Sequence, residues 1–494
     1  MNISIKRAQN DACIGSAERE KYGTQFKKTF RFLSMATLLV VGAIMTGCSN
    51  EDNIDNSQQP ANKDNVVTLT ATVSLDGGAQ TRAITPSTGV KTFESGNQIA
   101  VIYKNTSSQT VKAVSTDFTP TGDNTKATFT VTLTNPDNNS TIRYIYPATM
   151  AKDVATDATI TDDDATIDYT DLLGSQDGTL ATLANYDLAV KDAALSGTNL
   201  PASASLENPL TICKFTLTDG TSPITSSVTS LNVSDGTNTY HVTPSGLSEI
   251  YVAMKPVASQ KIAFTAATTL KTYFKTTASA QSLAASKIYN SISVSMTELA
   301  VGNVFCSDGS VYASASAAKT ASKTPVAKIV YLGSDAETST TFKHGLALAL
   351  SDVSGYHTWC SQKGANCLGT GHQYTSMSAA KADMAGLANT DALVGHGTHT
   401  HNAANAARNY SATRPAGTSA WFLSSAGQWD KMTGGYGLTN LKADESDYKR
   451  LQSDAYWSST EFDAYYAWDF GTVVGNWYGD NKDNNYLVRS CLAF

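Results

Sequence analysis

Between Val66 and Met296 apolar and polar residues alternate with a period of two. Val67, Leu69, Ala71 and Val73 alternate with Thr and Ser, as do Phe129, Val131 and Leu133 with Thr. Ile142, Tyr144 and Tyr146 alternate up to Pro147, and Cys213, Phe215 and Leu217 repeat the pattern. Tyr251 and Ala253 start it again before Lys255, where the second face turns apolar, and Ile288, Ile292 and Val294 close the series. Alternation over four to eight residues marks a half-buried strand, because successive side chains leave opposite faces. Asp76-Gly77-Gly78, Asn135-Pro136-Asp137, Asp219-Gly220 and Asp235-Gly236 are turn signals between the runs. The pattern predicts a mainly β chain, with two β-sandwiches over 66–185 and 186–296.

The pattern changes near Thr297. All six tryptophans lie beyond it: Trp359, Trp421, Trp429, Trp457, Trp468 and Trp477. Val304-Phe305-Cys306 and Ile329-Val330-Tyr331 read as strands. Ser376–Leu387 and His401–Tyr410 read as Ala-rich helices, and Ser424-Ser425 caps a short helix carrying Trp429. Residues 297–494 are therefore expected to form a separate α+β domain.

The most informative stretch is its end. Between Phe462 and Tyr486, seventeen of twenty-five residues are Tyr, Asn, Asp, Gly or Trp. This is too polar for a core and too aromatic for a solvated tail. Antibody paratopes have a similar composition: rigid aromatic contact area beside adaptable hydrogen-bonding groups. A binding face is expected here rather than a catalytic pocket.

The 494 residues suffice for about three domains, and only 16% are charged, which suits an exported β-rich protein better than a cytosolic helical enzyme. Lys27, Lys28 and Arg31 precede an apolar run from Phe32 to Met45 and then Thr46-Gly47-Cys48. A basic segment, a short apolar segment and small residues before a cleavage point make a secretory signal over 1–47. The run is shorter than the roughly 20 residues of a membrane span. Residues 48–65 form a polar tether of disordered character. The whole chain carries a net charge of −7, and 1–47 holds seven basic against three acidic residues, so the chain from Cys48 is more acidic still. Nucleic acid and anionic membrane surfaces are unsuitable partners.

Several of these landmarks carry family resemblances. Thr46-Gly47-Cys48 resembles a lipobox, which implies lipidation of Cys48 and anchoring in an outer membrane before processing. Gly96-Asn97-Gln98-Ile99-Ala100-Val101, Tyr146-Pro147-Ala148, Glu207-Asn208-Pro209-Leu210 and Lys214-Phe215-Thr216-Leu217 resemble the fimbrillin family of lipoprotein pilus subunits, as do Ile250–Pro256 and Lys287-Ile288-Tyr289-Asn290. The resemblance implies two transthyretin-like sandwiches, removal of the first strand by cleavage at an Arg, and filling of the groove by a neighbouring subunit's strand. Arg82, in Gln80-Thr81-Arg82-Ala83, matches the cleavage position. Backbone pairing along an exposed strand edge would drive such assembly.

Phe342–Leu350, Trp421–Gly427, Tyr456-Trp457-Ser458-Ser459-Thr460-Glu461 and the Val488-Arg489…Leu492-Ala493-Phe494 terminus resemble a C-type-lectin-like fold of the formylglycine-generating-enzyme type, which includes the variable proteins of diversity-generating retroelements. The resemblance implies a variable region within 456–494. Its ligand-contacting positions would be Asp463, Ala464, Tyr465, Tyr466, Asp469, Gly471, Val473, Val474, Asn476, Tyr478, Gly479, Asp480, Asp483, Asn484 and Tyr486, all types reachable from an Asn codon by changing adenines. Ala467-Trp468 and Lys482 would be constant markers, and Trp457 and Trp468 scaffold core. A domain at the C-terminus leaves no free strand to donate, which suits a pilus tip. The partners implied are other pilus subunits, by strand exchange, and a protein or glycan ligand on a host or neighbouring cell.

Two further readings stay open. One is a monomeric surface glycan-binding lipoprotein. The other is a metal-dependent surface enzyme using His396, His399 and His401, since three imidazoles within six residues have the chemistry of a Zn²⁺ or Cu²⁺ site. In an extended stretch His399 and His401 share a face and His396 points away. No catalytic residues and no cofactor are expected. Five cysteines follow Cys48, an odd number that leaves at least one unpaired. Cys360 and Cys367 flank a loop short enough for a disulfide, Cys213 reads as buried and free, and Cys306 with Cys491 is a further possible pair.

Overall fold

Alternation in the sequence becomes two facing sheets in the computed structural model, which describes residues 64–75, 92–121, 124–186, 188–220, 222–443 and 448–494. Cys48 and Arg82 lie outside the described residues. The first sandwich contains β1 (Val66–Leu75), β2 (Ala100–Lys104), β3 (Thr110–Val114), β4 (Thr119–Thr121), β5 (Lys126–Thr134), β6 (Thr141–Tyr146), β7 (Ala189–Ala194) and β8 (Ser203–Leu206). One sheet has the order β4-β5-β1-β8 and the other β3-β2-β6-β7. Leu69, Ala71 and Val73 of β1 meet Phe129, Val131 and Leu133 of β5 and Val101, Tyr103, Ile142 and Tyr144 of the opposite sheet. On the outer face Thr68, Thr70 and Thr72 stand opposite Thr132, Thr130 and Thr128, their hydroxyls 3.2, 3.2 and 3.3 Å apart. Such cross-strand pairs are the unit of sheet stabilisation.

The second sheet of this sandwich is apolar on both faces. Ala100, Ile102 and Ile145 turn away from β1 toward the irregular segment 148–188, where Met150, Ile160, Ile167 and Leu172 cover them. Arg143 is buried among these residues and pairs with Asp163 and Asp192 at 2.6 and 3.1 Å. The expected boundary at 185/186 is corrected: β7 pairs with β6 and β8 with β1, so the first sandwich closes only at Leu206. The described residues of 148–188 pack over this face without forming a strand, a detour that local alternation does not report.

The second sandwich contains β9 (Thr211–Asp219), β10 (Ser222–Pro223), β11 (Ser230–Ser234), β12 (Thr239–Val242), β13 (Ile250–Met254), β14 (Val257–Gln260), β15 (Ala263–Ala267), β16 (Thr272–Thr276), β17 (Gln281–Leu283) and β18 (Lys287–Glu298). The strand order is β10-β9-β18-β16-β15-β11-β12, with β13 also on β9 and β14-β17 apart. β18 joins the two layers: its first part runs parallel to β9 and its last residues pair with β16. Cys213, Phe215 and Leu217 point inward as the alternation predicts. On β13 the other phase is the buried one: Ile250, Val252 and Met254 point inward, while Tyr251 is half-buried and donates to Glu249.

The third part holds β19 (Val304–Cys306), β20 (Val311–Tyr312), β21 (Pro325–Leu332), β22 (Gly345–Ala349), β23 (His357–Thr358), β24 (Phe422–Leu423), β25 (Ala455–Glu461), β26 (Tyr466–Gly471), β27 (Asn476–Asn481), β28 (Asn485–Tyr486) and β29 (Ser490–Ala493). A six-stranded sheet runs β20-β19-β21-β22-β29-β24, and β25-β26-β27 form a separate three-stranded sheet. The expected capping holds at Ser425, which forms a capping box with Gln428 at the start of Ala426–Met432. The Ser376 side chain likewise accepts from the Ala379 N–H. The helix expected over Ser376–Leu387 is two pieces, Met377–Ala380 and Gly386–Val394. Asp383 breaks it by turning its carboxylate onto the Ala385 N–H and the Asn389 amide.

Phe274 of the second sandwich packs edge-on against Phe305 at 4.9 Å, and Phe305 against the terminal Phe494 at 5.1 Å. Ser230 and His344 are hydrogen-bonded at 3.0 Å across the same boundary. A shared apolar core and a buried polar contact thus fix the third part on the second, and Lys63–Phe494 forms one compact unit. Among the described residues no helix is long and apolar enough to cross a membrane.

Candidate functional site

The Tyr- and Asn-rich segment folds as β26, a turn at 472–475, and β27, with β25 against the other edge of β26. Its inner face is core. Phe470 stands opposite Trp477, ring centroids 5.1 Å apart, and stacks on Trp429 at 5.7 Å. Trp457, Trp468 and Trp477 are buried, so each tryptophan of the segment belongs to the scaffold. The Trp468 indole donates to the Tyr374 carbonyl and the Trp457 indole to the His357 carbonyl, each tying the sheet to a loop.

Two buried cations hold this frame. Lys482 is wholly buried and pairs with Glu461 at 2.5 Å. Its ammonium also donates to the carbonyls of Ala365 at 2.8 Å and Ala464 at 3.2 Å, and lies 5.0 Å from the Trp359 ring. Glu461 accepts in addition from the backbone N–H groups of Cys367 and Leu368 and from the Gln373 amide. A buried pair survives only when every lone pair and proton is satisfied in this way. Arg489, also fully buried, pairs with Asp352 at 2.6 Å and donates to the carbonyls of Ala349, Lys449 and Arg450. Glu461 and Asp352 escape sequence reasoning, because each meets its cation only after the strands have paired.

The exposed positions lie at the ends, the turn and the edge strand of the hairpin. Tyr465, Tyr466, Val473, Val474 and Tyr478 are 55%, 38%, 63%, 66% and 46% exposed, large side chains with no packing reason to be outside. Asn476 and Asp483 are exposed, and Asp463, Ala464, Gly471, Gly479, Asp480, Asn484 and Tyr486 half-buried. The set spans the hairpin lengthwise. Tyr465 and Tyr466 stand at one end and Val473 and Val474 in the turn at the other, about 17 Å apart along β26. Between them lie Tyr478 and a hydrogen bond from the Tyr486 hydroxyl to Asp480 at 2.6 Å.

Asp469 departs from expectation. It is fully buried rather than on the surface, and neither carboxylate oxygen has a hydrogen-bond partner. It sits on the middle strand, opposite Trp457 on one side and Tyr478 on the other. Cross-strand partners share a face, so both side chains flank it. Burial, and then the charge of Asp480, push its pKa up to about 8. At neutral pH this is a protonated carboxyl beneath the aromatic face.

The histidine cluster also departs from the extended reading. His396 and His399 stack at 4.9 Å, and the His399 N–H donates to the His396 Nδ1 at 3.2 Å. The chain therefore turns at Gly397 and brings the two imidazoles together, and His401 lies 5.1 Å from His396. His401 is buried and occupies the N-cap position of the helix Asn402–Arg408 without a side-chain cap bond. Cys360 and Cys367 lie beside it as free thiols, sulfurs 3.7 Å apart, against the expected disulfide. Cys213, Cys306 and Cys491 are also free and buried, so the Cys306–Cys491 pair does not form.

No family model and no curated protein matches the chain. Among solved structures it is similar to a fimbrial protein from Bacteroides ovatus, at 15% identity over 88% of this chain and 100% of that one, with a TM-score of 0.33. A candidate cell adhesion protein from Bacteroides ovatus matches at 12% identity over 47% of this chain and 95% of its own, TM-score 0.27. Another from Bacteroides fragilis matches at 8% identity over 47% and 97%, TM-score 0.26. Likenesses of this size assign neither fold nor function, and the functional reading rests on the geometry.

Proposed function

We propose that this chain is a cell-surface adhesin, the tip subunit of a pilus, which binds its ligand through the exposed residues of the β26–β27 hairpin. The observation that carries the proposal is the exposure of Tyr465, Tyr466, Val473, Val474 and Tyr478 at the ends, the turn and the edge strand of one hairpin whose tryptophans are all buried. Aromatic side chains held on a rigid strand offer contact area at low entropy cost, and side chains can change there without disturbing the frame. In this reading the C-terminal domain is lectin-like and the outward positions are the diversified ones.

Two features support assembly by strand acceptance. β1 lies between β5 and β8, so its removal after cleavage at Arg82 would open both neighbours to an incoming strand. β29 is interior to the six-stranded sheet between β22 and β24 and wholly buried, so it is held in its own domain. A subunit that accepts a strand and holds this one back would end a polymer. Lipidation at Cys48 would hold it at the outer membrane until processing.

The test is adhesion and assembly together. Scrambling the outward residues of 463–486 should abolish adhesion while leaving pilus assembly intact, and Arg82→Ala should abolish assembly while leaving ligand binding by the purified chain. Adhesion unaffected by the scrambled face would overturn the assignment. The second reading, a monomeric glycan-binding lipoprotein, is favoured by the exposed Tyr478 beside the half-buried Tyr486 hydroxyl and Asp480 carboxylate, groups suited to sugar hydroxyls. It requires saccharide binding by the monomer and no incorporation into fibres.

A further inference from the structure

We infer that Cys360, Cys367 and His401 form a binding site for one thiophilic metal ion, zinc being the best-fitting case. The three arrive from separate elements. Cys360 follows β23, Cys367 closes the loop after it, and His401 immediately precedes the helix Asn402–Arg408. All three are buried, and one ligand atom of each lies within 4.8 Å of the others.

The distances separate the competing chemistries. A disulfide requires its sulfurs at about 2.05 Å. Two thiolates on one tetrahedral zinc, each about 2.3 Å from it, stand about 3.8 Å apart. The two sulfurs here are 3.7 Å apart. His401 is the second, independent observation. It is 0% exposed, and neither ring nitrogen has a hydrogen-bond partner among the described residues. A buried imidazole normally satisfies at least one nitrogen, because leaving both bare forfeits its hydration with nothing in return. An ion between the sulfurs and the ring would supply the missing partner.

Charge fits as well. Two thiolates and a neutral imidazole around a divalent cation sum to zero, which a buried site tolerates. The Lys482 ammonium stands 4.0 Å from the Cys367 sulfur, its own charge balanced by Glu461. His396 and His399, half-buried, complete the surroundings, and the His399 Nδ1 is likewise buried without a partner. Three protein ligands leave a fourth position for water or for one of these imidazoles. Soft sulfur ligands select zinc or cuprous ions over magnesium or calcium.

The site would act as a staple. Loop 361–366 lies between its two cysteines and touches the outward segment directly: the Gly364 N–H donates to the Ala464 carbonyl at 3.0 Å, and Lys363 pairs with Asp483 at 2.6 Å. Metal binding would hold that loop, and one end of the face, in place. Only this last consequence rests on the proposed adhesin face.

The experiment uses the whole chain, purified reduced and metal-free, and titrated with Zn²⁺ against a chromophoric chelator and with Co²⁺. The expected result is about one equivalent bound, with a thiolate-to-cobalt charge-transfer band. Cys360→Ser and Cys367→Ser should each abolish the band, and His401→Gln should weaken zinc at least about tenfold. Should the variants fail to fold, the wild-type chain decides: a thiol-blocking mercurial must release the zinc in step with the loss of two thiols. Stoichiometric binding of Cu⁺ in place of Zn²⁺ would also support a thiophilic site. A reduced, folded chain that binds none of these ions overturns the inference. So does an intact mass showing a Cys360–Cys367 disulfide in protein folded with zinc present. Ligand binding is read separately, so a failed adhesin reading would leave this result standing.

Discussion

Replacing Asp469 by Asn removes one ionisation and almost nothing else, since the amide has the shape of the protonated acid. In the folded chain the carboxyl titrates at about 8, against an ordinary value of 3.8. Its folded pKa is raised, so the folded state holds an extra proton between those values, and stability is lost as pH rises through that window. One proton of difference amounts to about 1.4 kcal/mol per pH unit. Between about pH 5 and pH 7 the wild-type chain should therefore lose nearly 3 kcal/mol through this one group, and over the whole window a loss on the order of 5 kcal/mol. Asp469→Asn lacks that term. Urea unfolding followed by tryptophan fluorescence, at several pH values across the window, measures it. The stability of the variant relative to wild type should climb by about 1.4 kcal/mol per pH unit, at unchanged m-value. Parallel pH profiles for the two proteins would refute the reasoning, because Asp469 would then ionise in the folded state as it does in the unfolded one.

Other changes have equally defined outcomes. His344 is buried between the second sandwich and the C-terminal sheet, and burial, then Lys343 and His241, bring its pKa down to about 4. The unfolded chain binds this proton first, so stability falls as pH drops from about 6.5 toward 4, and His344→Gln should flatten that acid limb in the same assay. Lys482→Met strands the buried Glu461 carboxylate and should cost about 3–5 kcal/mol in denaturant unfolding, with part of the loss recovered by adding Glu461→Gln. Tyr465→Ala and Tyr478→Ala remove exposed rings and should change stability by less than about 0.5 kcal/mol. Once a ligand is in hand, at least one of them should weaken binding by about 2 kcal/mol, roughly thirtyfold, by calorimetry.

The legible part of this protein is the part written locally. Cys213, Phe215 and Leu217 announce an inward face because a strand alternates whatever surrounds it, and Ser425 announces a helix start because its hydroxyl caps its own chain. Trp457 and Trp468 could be read as scaffold from their small neighbours, and the outward tyrosines from composition. The boundary at 185/186 was not legible, since β7 and β8 return to the first sandwich only after a detour with no period of its own. Neither was the phase of β13, where both faces carry apolar residues and packing chooses between them.

Asp469 shows why the site itself divides the same way. Its residue type suits a surface position, and nothing near it in sequence places Trp457 and Tyr478 beside it. The register of three strands does that. Likewise His401 reads as one of three histidines in a polar loop, but folding sets it against Cys360 and Cys367, each more than thirty residues away in the chain. By itself the sequence determined the strands, the caps and the aromatic character of the final hairpin, because these follow from the preferences of neighbouring residues. Tertiary structure alone decided which groups are buried, paired or stripped of partners. Solvation and electrostatics depend on what lies across space, and that is set only when distant segments pack.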